Sequence, residues 1–406
     1  MSRCEDASVG SIMEDMYPGS PDVAQVSGSI PLAVPNIAGN EWKYVKECLD
    51  TSWVSSVGSY VGRFESEIAG YVGVKHGIAT SSGTAALHTA LLVAGIGRGD
   101  EVLVSTLTFI APANAVRYVG ATPIFIDADP GYWQMDPERV LEFIESECSW
   151  DGTELRNKAT GGRVCGILPV HILGHPVDMD SIVEIAARYG LIVIEDASES
   201  LGVRYKGRMT GSIGHIACFS FNGNKIITSG GGGMIVTNDD DWARRAKHLT
   251  TQAKADDQEY IHDEVGYNYR LTNIQAALGC AQMEQLSKFI AAKRDTAALY
   301  MARLRKCPGI TCLSEASWAS STYWLFTIRL SNMDRRVVAE NLALKGIQTR
   351  PLWQPIHMSP CHQTTSRRSL PVSEALYREC ISLPCSSGIT HEQISIVADA
   401  LWACAG

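Results

Sequence analysis

The chain's 406 residues are too many for one ordinary compact core, so a large domain with a smaller companion is expected. Hydrophobic residues at 45% and charged residues at 19% fit a folded globular protein and exclude extended disorder. A net charge of -9 with no basic run excludes a nucleic-acid binder held by its overall field.

In chain order, residues 1–29 read as a polar arm, with a short helix from Ser11 to Tyr17 ended by Pro18-Gly19. Amphipathic helices are expected over Glu41 to Cys48 and Phe64 to Val72. Strands and helices then alternate. Helices are expected over Gly83 to Ala94, Ala111 to Val119, Pro137 to Glu147 and Ser181 to Tyr189. Strands are expected over Glu101 to Ser105, Pro123 to Asp127, Gly166 to Val170, Leu191 to Glu195, Ile216 to Phe221 and Gly233 to Thr237. Short, two-sided apolar strands between amphipathic helices predict an α/β fold with a mostly parallel sheet covered on both faces, over residues 30–300. The polar run Asn157 to Gly162 marks Ser149 to Gly162 as a surface insertion, and Ile274 to Leu304 is a long, partly continuous helical stretch. After Pro308 a smaller α+β domain is expected over residues 301–406. It would hold a strand from Tyr323 to Leu330, a helix from Arg335 to Lys345, a Pro-rich loop and a closing helix from Ile394 to Ala403.

Twelve scattered cysteines without a CxxC pair suit a reduced, cytoplasmic chain. The first residues lack the basic-then-apolar pattern of a signal peptide, and the apolar runs are too short to span a membrane.

Three features carry chemistry. Ser81-Ser82-Gly83-Thr84 stands directly before a helix, where exposed N–H groups favour an anion; the same residues also suit an ordinary N-cap. Asp196 follows an expected strand, at the edge where open α/β sheets bind ligands, and there it suits a metal, a ribose, a protonated ring nitrogen or simply a cap. Lys225 lies between the apolar Phe219-Ser-Phe221 and the run Ser229-Gly-Gly-Gly-Gly233, on a tight turn at the mouth of a pocket, a setting for a nucleophilic amine. Together they match the needs of pyridoxal phosphate (PLP): a Schiff-base lysine, a carboxylate for the pyridine nitrogen and a phosphate cup, with Phe109 as a face on which the ring stacks.

The chain resembles the DegT/DnrJ/EryC1/StrS sugar aminotransferases, enzymes of PLP fold type I with an aspartate-aminotransferase-like architecture. The resemblance runs from about Ile30 to the C-terminus and rests on "SSGTAALHTAL", "TFIAPANAV", "IEDASESLG", "FSFNGNKIITSGGGGMIVTND" and "GYNYRLTNIQAALG". The stretches "NEWKYVKECLDTSWVSSVGSYVGRFE", "KHLTTQAK" and "YIHDEVGYNYRLTNIQ" are similar to the branch that makes 4-amino sugars for legionaminic-acid-type nonulosonates. The resemblance implies that Lys225 holds the cofactor and shuttles a proton, that Asp196 pairs with the pyridine nitrogen, and that Gly83, Thr84 and Ser220 hold the phosphate. Phe109 would lie against the ring and Glu199 near its ring oxygen. Asn268 would reach across a homodimer interface to the partner's phosphate. The implied reaction moves an amino group from glutamate to C4 of a UDP-linked 2-acetamido-4-keto-6-deoxy sugar.

Other residues are open at this stage. Trp53 and Tyr323 suit a sugar or nucleotide contact and equally core packing. Arg350 suits a phosphate or carboxylate and equally an interdomain ion pair. His171 and His175 in "VHILGHP" are spaced like a metal pair, but Gly174 and Pro176 argue for a loop, so no metal is assigned. Of the rival readings, a PLP-dependent sugar dehydratase has His where Lys225 stands, a non-catalytic PLP-binding regulator would lack part of the motif set, and a nicotinamide dehydrogenase needs a glycine fingerprint that is missing.

Overall fold

A computed structural model describes residues 29–256, 258–362 and 369–405. The helix expected over Ser11 to Tyr17 lies outside the described residues. Helices α1 (Glu41–Asp50) and α2 (Ser59–Val72) lead into strand β1 (His76–Thr80). Then come α3 (Gly83–Val93), β2 (Asp100–Ser105), α4 (Ala111–Tyr118), β3 (Thr122–Ile126) and α5 (Pro137–Glu147). The hairpin β4 (Cys148–Trp150) and β5 (Leu155–Asn157) precedes β6 (Arg163–Leu168), α6 (Met179–Tyr189) and β7 (Ile192–Asp196). A two-residue pair, β8 (Arg204–Tyr205) and β9 (Arg208–Met209), precedes β10 (Ile216–Ser220) and β11 (Gly233–Thr237).

These strands form a nine-stranded sheet whose main path is β1-β11-β10-β7-β6-β2-β3. The pairs from β10 through β7, β6 and β2 to β3 are parallel, whereas β11 runs antiparallel to both β10 and β1. Its central strands are apolar on both faces because helices cover both; every residue of β2 is buried. Helix α3 is buried almost all round for the same reason, and α5 is amphipathic, started by the Asp136 cap and by Pro137 in its first turn. The expected surface insertion is the β4–β5 hairpin, and it is partly integrated. Leu155 is buried and β5 pairs with the start of β6.

Helix α7 (Asp240–Thr250), a small β12–β13 hairpin (Lys254–Asp256 and Ile261–His262), α8 (Asn273–Met283) and α9 (Leu286–Leu304) follow. The long helical stretch is therefore two helices, and α8 begins one residue earlier than expected with a Thr272–Gln275 capping box. The second sheet is antiparallel, ordered β14-β16-β18-β17, from β14 (Ile310–Cys312), β16 (Phe326–Leu330), β17 (Arg350–Pro351) and β18 (Cys380–Leu383). Between its first strands, β15 (Ala319–Ser320) joins β8 and β9. Helices α10 (Arg335–Ala343), α11 (Pro371–Glu379) and α12 (His391–Ala405) pack around this second sheet.

The strand expected from Tyr323 starts three residues later, at Phe326. Tyr323 has φ +49°, a left-handed backbone that breaks the extended run. Two polar ties join the segments. Asp127, after β3, accepts the N–H groups of Val372 and Ser373 and so caps α11 from another element. Thr106, after β2, meets His357 Nδ1 at 2.8 Å through its hydroxyl. Among the described residues, no helix is long and apolar enough to cross a membrane.

Candidate active site

The carboxyl ends of the parallel strands define one edge of the large sheet. Because β11 runs the other way, its first residue reaches that same edge: Gly233 pairs with Ser220 on one side and with Thr80 on the other. Just beyond Thr80 the chain turns into α3. A Cβ on Gly233 would sit 2.5 Å from the Ser82 carbonyl and 2.7 Å from the Gly83 nitrogen, so only glycine lets the three strands close here.

A cavity of about 640 Å³ opens at this edge. Gly83 and Thr84 line it at the start of α3, whose first-turn N–H groups have no intrahelical acceptor. The cap is Ser82, whose hydroxyl accepts the Ala85 N–H at 3.0 Å. A Cβ on Gly83 would lie 2.8 Å from the Ser220 Cβ and 3.3 Å from the Ser198 hydroxyl, so its absence leaves a small cradle bounded by hydroxyls and a helix start. That donor set suits a phosphate.

Asp196 ends β7 and lines the same cavity, almost fully buried, with one carboxylate oxygen on the Ser198 N–H at 3.0 Å. Burial raises its carboxyl above the usual range; the Ser198 hydrogen bonds and the Lys225 charge pull the other way. Its neighbour Glu195 points to the opposite face of the strand. There the carboxylate takes N–H bonds from Gly211, Ile213 and Gly214 and meets His171 Nε2 at 3.0 Å. Burial opposes the charge, but the His171 bond and these backbone donors outweigh it and hold Glu195 low. His171 Nδ1 accepts the Val177 N–H, which leaves the ring proton on Nε2, donating to Glu195. The two histidines singled out above thus serve the frame. His175 stacks on Tyr132 and accepts the Ala316 N–H through Nε2, and burial lowers it to about 4.

Lys225 stands in the loop between β10 and β11, which is closed by the Phe221 N–H on Gly232 O; Gly232 has φ +128°. The Lys225 Nζ is 3.6 Å from Glu199 Oε1 and 4.1 Å from the centre of the Trp324 ring. Glu199 is buried, and its other oxygen accepts the Leu173 N–H at 2.9 Å. Burial pushes its carboxyl up to about 7, against the attraction of Lys225. Lys225 thus has a carboxyl on one side and an indole face on another.

The cavity brings together Gly83, Thr84, Phe109, Asp196, Glu199, Ser220, Lys225 and Arg350. Phe109 is 57% exposed where it lines this cavity. Three expected residues lie elsewhere. Trp53 is exposed in a separate hollow with Glu47 and Tyr60. Tyr323 is buried beside Phe326 and Arg294. Asn268 bridges Thr251 through its backbone, away from the cavity lining. The sequence reading did not single out Trp324, Trp353, Asn222 or Asn224, which also line the cavity. The two asparagines flank Gly223 just before Lys225, a signal in plain view; the two tryptophans come from the second sheet's segment and carried no local signal.

A profile of the DegT/DnrJ/EryC1/StrS aminotransferase family matches residues 35–402. GDP-perosamine synthase of Caulobacter vibrioides is 42% identical over 376 residues, covering 92% of this chain and 97% of that protein. GDP-perosamine synthase of Escherichia coli O157:H7 is 40% identical over 373 residues, with the same shares covered. The crystal structure of Streptomyces venezuelae DesV in complex with a ketimine intermediate superposes with a TM-score of 0.81 at 33% identity, covering 90% of this chain and 94% of that one.

Proposed function

Since the chain belongs to the DegT/DnrJ/EryC1/StrS aminotransferase family, PLP-dependent enzymes that act on nucleotide sugars, we propose that it moves an amino group from glutamate to C4 of a nucleotide-linked 4-keto-6-deoxy sugar. The observation that carries this reading is the convergence of Lys225, Asp196 and the Gly83–Thr84 cradle on one cavity. When bound, PLP supplies an electron sink for the pair left behind when the donor's Cα loses its proton.

The chain's own residues supply the rest. Lys225 would hold the cofactor through its amine and, once released by the donor, would take the Cα proton as base and give it as acid to the cofactor carbon. Asp196 keeps the ring nitrogen protonated from its buried position. Gly83, Thr84 and Ser220 hold the phosphate, and Phe109 lies against the ring. Glu199 stands close enough to Lys225 to take part in its charge balance. Trp324 and Trp353 wall the cavity with apolar surface and keep bulk water off the amine. Arg350 meets a carboxylate or phosphate of the incoming ligand. Asn268, remote from its own cavity, is read as serving the phosphate of a second copy of the chain.

The nucleotide has two readings. UDP, with a 2-acetamido sugar of the legionaminic-acid type, follows from the sequence stretches shared with that branch. GDP is favoured by the relatives at 42% and 40% identity, both named GDP-perosamine synthase. Incubation with glutamate and UDP-, GDP- and dTDP-linked keto-sugars, with products identified by mass spectrometry, separates them. Lys225→Ala should still fold and fail to capture PLP covalently; undiminished transamination by that variant would sink the proposal.

A further inference from the structure

Helix α9 carries a buried lysine that the mechanism above does not use. Lys293 is 5% exposed, and among the described residues no carboxylate pairs with it. Its ammonium donates to the Trp324 carbonyl oxygen at 2.7 Å and lies 3.7 Å from the Cys385 sulfur. Cys385 offers its own thiol to the same carbonyl at 3.6 Å. Burying an unpaired ammonium is costly, and a Met or Leu of similar reach would fill the space more cheaply. What an apolar side chain cannot supply is a strong donor at this point.

The backbone shows why a donor is needed. Trp324 precedes β16, and the left-handed Tyr323 turns the chain out of the strand. Trp324 therefore stands outside the sheet ladder, and its carbonyl is met by these two side chains. The turn also sends the indole toward the cavity. Its Nε1–H donates to Asn224 O at 2.7 Å, one residue before Lys225, and its face lies over the Lys225 amine. The tryptophan is held at both ends: by the lysine loop at its ring and by Lys293 at its carbonyl.

We propose that Lys293 is a positioning residue for the transamination, fixing Trp324 so that its indole covers and orients the Lys225 amine. The proposal rests on Lys225 being the cofactor lysine.

The first test uses the cofactor-free chain, with acetylation of each lysine followed by mass spectrometry. Lys293→Met should raise labelling of Lys225 about threefold, the factor expected from losing a cation–π contact at the weaker end of its range, while other lysines stay constant. Lys293→Arg, which keeps a donor, should restore the wild-type rate. Trp324→Leu should raise Lys225 labelling as much, and adding Lys293→Met to it should add nothing. In the holoenzyme, Lys293→Met should lower kcat with KM for the sugar nucleotide little changed. It should also weaken the visible circular dichroism of the bound cofactor, and Arg should recover both. Unchanged Lys225 labelling in a folded Lys293→Met chain, or an equal effect of that change in the Trp324→Leu background, overturns the proposal. If Lys293→Met does not fold, Lys293→Leu, which also lacks a donor, is read with the same expectations. Borohydride reduction that fixes PLP to a lysine other than Lys225 would instead refute the reading on which the proposal rests.

Discussion

Replacing Glu199 by Gln should change how the cofactor-free chain's stability depends on pH. The Glu199 carboxyl sits at about 7 in the folded chain against 4.5 for a free glutamate, chiefly through burial. A folded value above the unfolded one means that the folded state binds more protons between those two pH values. Stability from this group is therefore complete below about pH 4.5, falls as pH rises to about 7, and stays low above it. A difference of two to three units corresponds to about 3 kcal/mol. Glutamine does not titrate, so Glu199→Gln should gain about 3 kcal/mol on the wild type between pH 4 and pH 9, whatever constant offset the substitution brings. Urea unfolding of both cofactor-free chains at a series of pH values measures this directly. Two stability curves that run parallel across that range would refute the buried placement of Glu199 beside Lys225.

Other outcomes follow from the same geometry. Gly233→Ala must open a contact from 2.5 Å toward ordinary separation at 3.4 Å against rigid backbone. It should cost about 1–3 kcal/mol in thermal stability and weaken PLP binding at least about tenfold, read by absorbance titration. Asp196→Asn should leave Lys225 able to capture PLP but lower single-turnover transamination by about 100-fold or more; near wild-type turnover would remove Asp196 from its assigned role. Asp127→Ala uncaps α11 and leaves buried donors unmet, so urea unfolding should show a loss of about 2 kcal/mol.

The parallel strands were readable in the sequence because burial on both faces writes a dense apolar run, as in β2 and β3. That Lys225, Asp196 and Gly83 would meet at one cavity was readable because each stands at a strand end or turn of the same sheet edge. Helix α7 was missed: its buried stripe is mainly Ala243, Ala246 and Leu249 beneath a charged surface, and only the Asp239 cap announced it. Helix α11 hid within what read as a Pro-rich loop, since its cap comes from Asp127, distant in sequence. Of the two readings left open for Tyr323, its burial beside Phe326 fits core packing, and the residue at the cavity is its neighbour Trp324. Local propensity favours an extended Tyr-Trp-Leu-Phe run, but the left-handed turn at Tyr323 puts Trp324, and not Tyr323, at the cavity.

The antiparallel strand β11 has a consequence for assembly. Lys225 is delivered by a local hairpin, β10 to β11, that can form early. The cradle at Gly83 depends on β1, an edge strand that among the described residues joins the sheet through β11 and comes from far earlier in the chain. A partly folded chain with β1 undocked would present the lysine without the phosphate cradle. A cofactor tethered at Lys225 and anchored at Gly83 would span that seam, so binding it should fasten the edge strand to the sheet. Slower hydrogen exchange across His76–Thr80 on adding PLP would report this.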